Sequence, residues 1–513
     1  MKKLVLLCLL VAITACKKKQ EYPPLKELAS ALFTTDLKPF YHGVASGDPL
    51  QDAVIIWTRV TPETQLPEVN VSWEVAIDSA FFNVMKSGST TTGPEKDYTV
   101  KVDVTGLDPD TIYYFRFEAL DGRSIIGRTK TTPVNGDSLE FAVVSCSSYQ
   151  WGYFNSYGRI AEESPLDAVV HLGDYIYEHG EGGYGDTSIG RIHIPKHEIV
   201  SLEDYRTRYA QYRLDQDLRA AHQNHPFIAV WDDHEITNNA YADGAQNHQP
   251  DEGDYMTRRD IARQVYYEWM PIREQKDLYR KINFGSIADL IMLDGRLAGR
   301  TKQADSMTDP SRDDADRTML GKEQFEWFKD QLQSSKARWK LIGNQVIFSY
   351  QDWGYSGFRL NMDSWDGYPV EQQMIVDFIR DNAIADVMFL TGDTHSSWAF
   401  EATNDPFEQY DEKTGDGAIG IEFGVTSLNS ANSNERFPTD SVKLHEGRIA
   451  NSDINPHLKY VNMRDHGYLK LTLTDSTGLA EFKIIETTRK PDPGIKIDKV
   501  VKVRSGSTKL ILD

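Results

Sequence analysis

Ala168-Val-Val-His-Leu-Gly-Asp-Tyr-Ile-Tyr177 joins a short apolar run directly to a glycine and an aspartate. The run has the length of a buried strand, and Gly173 allows a tight turn that presents Asp174 at the strand's carboxyl end. The same pattern recurs along the chain. Phe141-Ala-Val-Val144 leads to Cys146, Phe227-Ile-Ala-Val-Trp231 to Asp232, Asp233 and His234, and Val387-Met-Phe-Leu390 to Gly392-Asp393-Thr394-His395. Further apolar runs stand at Leu290-Ile-Met-Leu293 and Trp339-Lys-Leu-Ile342. Helical patterns alternate with them at Leu202 to His222, Arg258 to Trp269, Lys322 to Leu332 and Val370 to Asn382. The last two repeat apolar residues at i, i+3, i+4 and i+7. This alternation predicts an α/β domain over 134–487, doubly wound or layered. Open α/β sheets bind ligands at the carboxyl ends of their strands, so four strand ends carrying Asp, His and Cys predict one site on one rim. The connections Gly180 to Arg191, Asp243 to Asp254 and Ala304 to Arg317 either overhang that rim or lie free on the surface.

The pattern before this region differs. Ala53-Val-Ile-Ile-Trp57 and Val69-Asn-Val-Ser-Trp-Glu-Val75 are short runs divided by Gly, Pro, Asp and Thr clusters, which predicts a β-sandwich over 40–133. Gly106-Leu-Asp-Pro-Asp-Thr-Ile-Tyr113 resembles the turn of a fibronectin type III or immunoglobulin-like domain, with Tyr113 tying a strand to the preceding backbone. This unit reads as non-catalytic. At the other end, residues 488–513 alternate Ile, Val and Leu and read as an added strand or hairpin.

Met1-Lys2-Lys3 followed by the apolar run Leu4 to Ile13 reads as an export signal, too short to span a bilayer. Ile13-Thr14-Ala15-Cys16 resembles a bacterial lipobox, so residues 1–16 are expected to be a signal peptide ending at a lipidated Cys16, with 17–39 as a tether. Export and anchoring to a bacterial membrane, at a periplasmic or outer-membrane face, follow from that reading. Cys8 would be lost with the signal, which leaves Cys146 with no partner for a disulfide. The 513 residues, 40% of them apolar and 11% aromatic, suffice for large cores. A formal charge of -21 argues against nucleic acid or an anionic bilayer as the main partner. An anionic substrate therefore needs local positive charge, which bound metal ions supply.

Each strand-end motif has a plain alternative: Tyr175 and Tyr177 alternating along a strand extension, Asp-Asp-His-Glu capping a helix, Cys146 as a small core residue. Together they resemble a known set. Gly173-Asp174-x-x-Tyr177 is similar to the second block of the purple acid phosphatases. Asp232-Asp233-His234-Glu235 resembles the Gly-Asn-His-Asp/Glu block of the calcineurin-like superfamily, and Gly392-Asp393-Thr394-His395 its Gly-His-x-His block. The substitutions relative to those blocks, together with Asn238-Asn239 and Cys146, are those of the PhoD-type alkaline phosphatases. Gly43-Val-Ala-Ser-Gly-Asp-Pro49, Tyr266-Tyr-Glu-Trp-Met-Pro271, Trp365-Asp-Gly-Tyr368 and Glu422-Phe-Gly-Val-Thr-Ser427 extend the likeness, which spans Phe40 to Ile485.

That resemblance implies a fibronectin III/Ig-like β-sandwich followed by a layered α/β metallophosphoesterase domain. It implies an exported alkaline phosphatase that hydrolyses phosphate monoesters, with diesters as a second substrate class, by attack of a metal-bound hydroxide. One ferric ion (Fe3+) would be held by Cys146, Asp174, Tyr177 and His395. One or more calcium ions (Ca2+) would take Asp174, Asp233, Asn239 and Asp393, with Asp232 and Asn238 as additional oxygen ligands; a different divalent pair is the alternative. Aspartate at 393 in place of histidine favours such hard ions. His234 would protonate the leaving group. Arg258, Arg259, Arg263 and Arg296 are offered for phosphate oxygens, although a surface ion pair is the commoner role for each, and Trp365 is offered for the substrate entrance, although aromatic residues at Asp-Gly turns usually pack. Small phosphate esters are the expected partners, with membrane contact only through the lipid, and the chain is expected to be a monomer. A phosphodiesterase or phospholipase on the same site, and an inactive surface binding protein, are the rival readings.

Overall fold

The computed structural model describes residues 22–512; the signal segment, Cys16 and the start of the tether lie outside the described residues. Two large mixed sheets form its centre. The ten-stranded sheet runs Ile511–Leu512, Ile495–Arg504, Thr477–Ile485, Gly467–Thr474, Ser138–Val144, Ala168–His171, Pro226–Ala229, Val44–Gly47, Ala53–Arg59, Thr99–Thr105. The seven-stranded sheet runs Arg280–Phe284, Ala288–Met292, Trp339–Asn344, Val387–Thr391, Gly420–Gly424, Ser397–Ala402, Leu458–Asn462. In each, the strands that the sequence marks as buried pair in parallel: 138–144 with 168–171 and 226–229, and 288–292 with 339–344 and 387–391.

Side-chain alternation explains the layering. Leu290, Met292, Leu341, Met388 and Leu390 enter one core with Phe141, Leu469 and Leu471 of the larger sheet. Their neighbours Ile291, Ile342, Val387 and Phe389 enter another with Phe325, Phe328, Ile375 and Val376, from helices Gly321–Ser334 and Pro369–Asp381. Both faces of the strand are thus apolar, which is why these segments read as continuous runs. Helices Asn155–Ala161, Leu202–Arg213, Gln216–Asn224 and Tyr255–Trp269 contribute Tyr157, Tyr209, Leu218 and Val265 to the core of the ten-stranded sheet. Helix, sheet, sheet and helix make four layers.

The single helix expected from Leu202 to His222 is two. Asp215 breaks it, because its carboxylate caps the second helix by accepting from the backbone N–H groups of Asp217 and Leu218. The sequence patterns change near residue 133, but the sheets do not divide there. Val44–Gly47 pairs antiparallel with Ala53–Arg59 and parallel with Pro226–Ala229. Gly47 makes this junction possible, since a Cβ there would lie 2.4 Å from the Phe227 carbonyl oxygen. On Ala53–Arg59, Val54 and Ile56 face a sandwich core with Val71, Phe115 and Phe117, while Trp57 belongs to the core between the two large sheets and their helices. The second layer of the sandwich is Val84–Thr92, Val69–Ala76, Ile112–Ala119 and Gly122–Arg123, with Gly127–Lys130 pairing to Ile112–Ala119.

The expected tether is not free in its described part. Leu25 N donates to Glu63 O, Gln65 N donates to Pro23 O, and Glu27 accepts from Arg59 at 2.6 Å, so residues from 22 onward pack on the sandwich. At the other end, Ile495–Arg504 adds antiparallel to Thr477–Ile485 and extends the large sheet. Among the described residues no helix is long and apolar enough to cross a membrane.

The tyrosine corner is present: buried Tyr113 accepts the Asp108 N–H at 2.8 Å through its hydroxyl. Replacing Tyr113 by Phe leaves that N–H without its partner, and unfolding in urea is expected to show a loss of about 1–2 kcal/mol. An unchanged midpoint would mean the corner carries no stability.

Candidate metal centre

Cys146, Asp174 and the run Asp232 to His234 leave the carboxyl ends of three adjacent parallel strands of the larger sheet. Asp393 and His395 leave Val387–Thr391, which belongs to the smaller sheet. The rim is therefore built by two sheets instead of one. Ser145 bridges in parallel to Ser427, and a Cβ on Gly392 would lie 2.9 Å from the Ser145 Cβ, so the two sets of strand ends are held in close contact. Gly173 answers the same constraint: its φ is +108°, and a Cβ would meet the Asp232 backbone nitrogen at 2.4 Å.

Backbone strain collects here. Of fourteen non-glycine residues with positive φ among the described residues, five are Cys146 (59°), Asp174 (57°), Asn239 (52°), Asp393 (63°) and His395 (54°). Each costs roughly 1–3 kcal/mol and persists only where the surroundings hold it, as they do at working sites.

Ligand atoms of Cys146, Asp174 and His395 lie within 4.8 Å of one another, as do those of Asp174, Asp233 and His234, and those of Asp232, Asp233 and Asp393. Asp174 is shared between two of these groups, as a bridging carboxylate must be. Within them Asp174 Oδ1, Asp232 Oδ2 and Asp233 Oδ1 are buried with no hydrogen-bond partner. Burial, reinforced by the neighbouring acids, pushes Asp174 well above the usual carboxylate range, Asp232 to about 8 and Asp393 to about 7. Burial likewise raises the Cys146 thiol and the Tyr177 phenol. Without cations these groups would hold protons; with cations the orphaned oxygens gain partners. The donor set fits metal ions. His395 is prepared as a ligand, because its Nδ1–H donates to Ala431 O at 2.7 Å and leaves Nε2, 3.2 Å from the Tyr177 hydroxyl, to face the cluster. Tyr177 also reaches Asp174 Oδ2 at 2.9 Å. Asn239 N donates to Asp233 Oδ2 at 2.6 Å, and the amides of Asn238 and Asn239 both donate to Gln246, leaving their carbonyl oxygens free.

The residues that sequence reasoning passed over are carboxylates and a tyrosine around these ligands. Buried Glu178 accepts from His234 Nδ1 at 2.6 Å, and burial's penalty on the His234 cation is outweighed by Glu178, Asp174 and Asp233, which push its pKa up. Glu178 also accepts from Asn238 N and from Asn247 of the connection 243–254. Glu235 accepts from the backbone N–H groups of Asp174 and Asp232, 3.0 and 2.8 Å away, and so pins two strand ends together. Tyr184, on the connection 180–191, stacks on Tyr177 with centroids 5.3 Å apart. Glu178 and Glu235 each follow a predicted ligand block in the chain, which is the signal that would have found them.

The arginines divide differently from expectation. Arg258 is buried with its donors on Glu198, Glu252, Tyr205 and backbone carbonyls. Arg259 bonds Asp260 and Ala242 O, and Arg263 bonds Lys276 O beside Trp231, so none of the three faces the cluster. Arg296 is the arginine that does: it binds Asp232 and Asp363 and lies 3.8 Å from Asp393 and 4.0 Å from Asp233. Trp365 is 1% exposed and packs on Phe348, so it is core and does not line an entrance. A cavity of about 690 Å³ lined by Asn239, Gln246, Gln303, Met307, Asn361 and Asp363 adjoins the cluster and takes in part of the connection 304–317.

Comparison with known proteins gives a consistent picture. A family model described as PhoD-like phosphatase matches residues 141–482, and one for the N-terminal domain of PhoD-like phosphatases matches residues 27–133. The chain is 37% identical over 485 residues to alkaline phosphatase D of Bacillus subtilis (strain 168), covering 89% of this chain and 79% of that protein. A solved structure described as "Structure of PhoD" is 34% identical, with a TM-score of 0.83 over 92% of each chain.

Gly173→Ala is the sharpest test of the geometry. The added Cβ is expected to separate Asp174 from Asp232 and to lower the metal bound per chain while the circular dichroism spectrum stays native. Full metal content in that variant would show that the cluster does not depend on the turn.

Proposed function

The chain belongs to the PhoD-like phosphatase family, and from that membership we propose an exported, metal-dependent enzyme that hydrolyses phosphate monoesters, and diesters at the same site. The observation that carries the reading is the junction of four strand ends, where buried carboxylate oxygens stand without partners beside a thiol, a phenol and a prepared imidazole. Cys146, Asp174, Tyr177 and His395 would hold ferric iron. Asp174, Asp233, Asn239 and Asp393, with Asp232 and Asn238, offer the all-oxygen set that suits calcium. Such ions, when bound, neutralise charge developing on the phosphoryl oxygens and acidify the attacking water.

The chain's own residues do the rest. His234 directs Nδ1–H to Glu178, so Nε2–H is the proton available to the departing alkoxide. The cavity beside Asn239 and Asp363 receives the organic part of the ester. The N-terminal segment supports export and attachment to a bacterial membrane through Cys16, and the chain is taken to act as a monomer.

Two measurements test this reading. His234→Ala is expected to lower turnover of an alkyl phosphate by roughly 10²–10⁴-fold. Nitrophenyl phosphate, whose leaving group needs no proton, should suffer far less, and Glu178→Gln should show the same leaving-group dependence in weaker form; equal losses on both substrates would sink the general-acid role. Elemental analysis of the soluble protein lacking residues 1–19 should find iron with calcium, and a visible absorption band should disappear in Tyr177→Phe. Colourless protein holding zinc or manganese would refute the ligand assignment, and protein without metal would refute the mechanism.

A further inference from the structure

Among the described residues Arg208, Arg213, Arg258, Arg296 and Arg300 are buried to under 2% exposure. Four of them donate to protein acceptors: Arg208 to the carbonyls of Tyr177, His179, Ile194 and Pro195, Arg258 to Glu198 and Glu252, Arg296 to Asp232 and Asp363, Arg300 to Asp363. Arg213 differs. None of its three guanidinium nitrogens has a hydrogen-bond partner. Its Cζ stands 4.4 Å from the centroid of the Trp57 ring, and the Tyr175 hydroxyl, bonded to His222 Nε2 at 2.9 Å, faces it outside hydrogen-bond geometry.

Its surroundings are rich in donors. Trp57 and Trp269 lie 5.7 Å apart, His42 meets Trp269 edge-on at 5.2 Å, and Tyr209 stacks at 6.4 Å on the same indole. The Trp269 Nε1–H, the His42 ring, whose neutral form carries one N–H, and the Tyr209 hydroxyl are buried and unpartnered as well. The nearby carboxylates are already engaged: Glu27 and Asp97 with Arg59, Asp215 with Arg191. Burial, with Arg59, Arg213 and Arg219, keeps His42 neutral. One positive charge thus remains uncompensated among aromatic rings. Water would satisfy the N–H groups and leave that charge buried, whereas one monoanion answers both needs.

We propose that Arg213, Trp269 and His42 form a buried site for a small monovalent inorganic anion, a halide such as chloride. It lies where helices Leu202–Arg213 and Tyr255–Trp269 meet strand Ala53–Arg59, and it ties those helices to the sheet. No metal-cluster residue takes part, so the site stands or falls apart from the phosphatase mechanism.

Protein desalted into gluconate and then denatured is expected to release about one chloride per chain, a stoichiometry that ion chromatography reads. Crystals grown in bromide should show an anomalous peak beside the Arg213 guanidinium. Arg213→Met should abolish both signals. Should that variant fail to fold, Trp269→Phe keeps the ring, drops one N–H, and should lower the bromide peak. Release of no halide, only water beside Arg213, a tetrahedral anion there, or an undiminished bromide peak in either variant would overturn the proposal.

Discussion

Too much negative charge is buried at one point for the protein alone to neutralise. Asp174, Asp232, Asp233 and Asp393 converge where two sheets end, and the one guanidinium among them, Arg296, is shared with Asp363. Mutual repulsion of four buried carboxylates would drive the strand ends apart or force protonation. Burial, with the neighbouring acids, raises Asp174, Asp232 and Asp393 above the usual carboxylate range in the absence of ions, and only Asp233 is held down, by Arg296 and His234. Cations resolve the conflict, so the ligand geometry and the closure of the two sheets on each other depend on the same charge balance.

The rest of the architecture holds these strand ends still. Glu235 clasps the turns at Asp174 and Asp232 by their backbone N–H groups, and Ser145 bridges to Ser427 across the sheets. Gly47 lets an N-terminal strand lie against Pro226–Ala229, so the sandwich buttresses the strand that delivers Asp232 and Asp233. The N-terminal unit carries no ligand, yet it sets where two of them stand. Rigid support of this kind is what allows five candidate ligands to remain at positive φ.

The sequence was legible where one residue type admits one environment. Apolar runs found the six central strands within a few residues, and Tyr113 announced its corner, because these depend on local pattern alone. Features that depend on tertiary contact were hidden. Nothing in Val387 to Leu390 says that it belongs to a second sheet, and nothing in the polar segment before Phe40 shows that it packs on Arg59. The break at Asp215 was legible in principle, since an aspartate two residues beyond Arg213 is a strong cap, but the apolar pattern runs across it.

The arginines teach the same lesson in sharper form. Arg258, Arg259 and Arg263 drew attention by lying close together in the chain, but the helix turns Arg258 into the core and sets Arg259 and Arg263, one turn apart, on another face, and each finds its own partner. Arg296, which shares Asp363 with Arg300, lies outside that helix and reaches the cluster from the segment that follows strand Ala288–Met292. Its Nε and Nη1 are bound to Asp232 and Asp363, while buried Nη2 has no hydrogen-bond partner. Such an arginine sets the charge and position of the aspartates and keeps one nitrogen open beside Asp233 and Asp393. A chain of net charge -21 repels an anion at long range, so the positive charge that could draw one in stands at this cluster, on Arg296, on the His234 cation and on any cation the carboxylates hold.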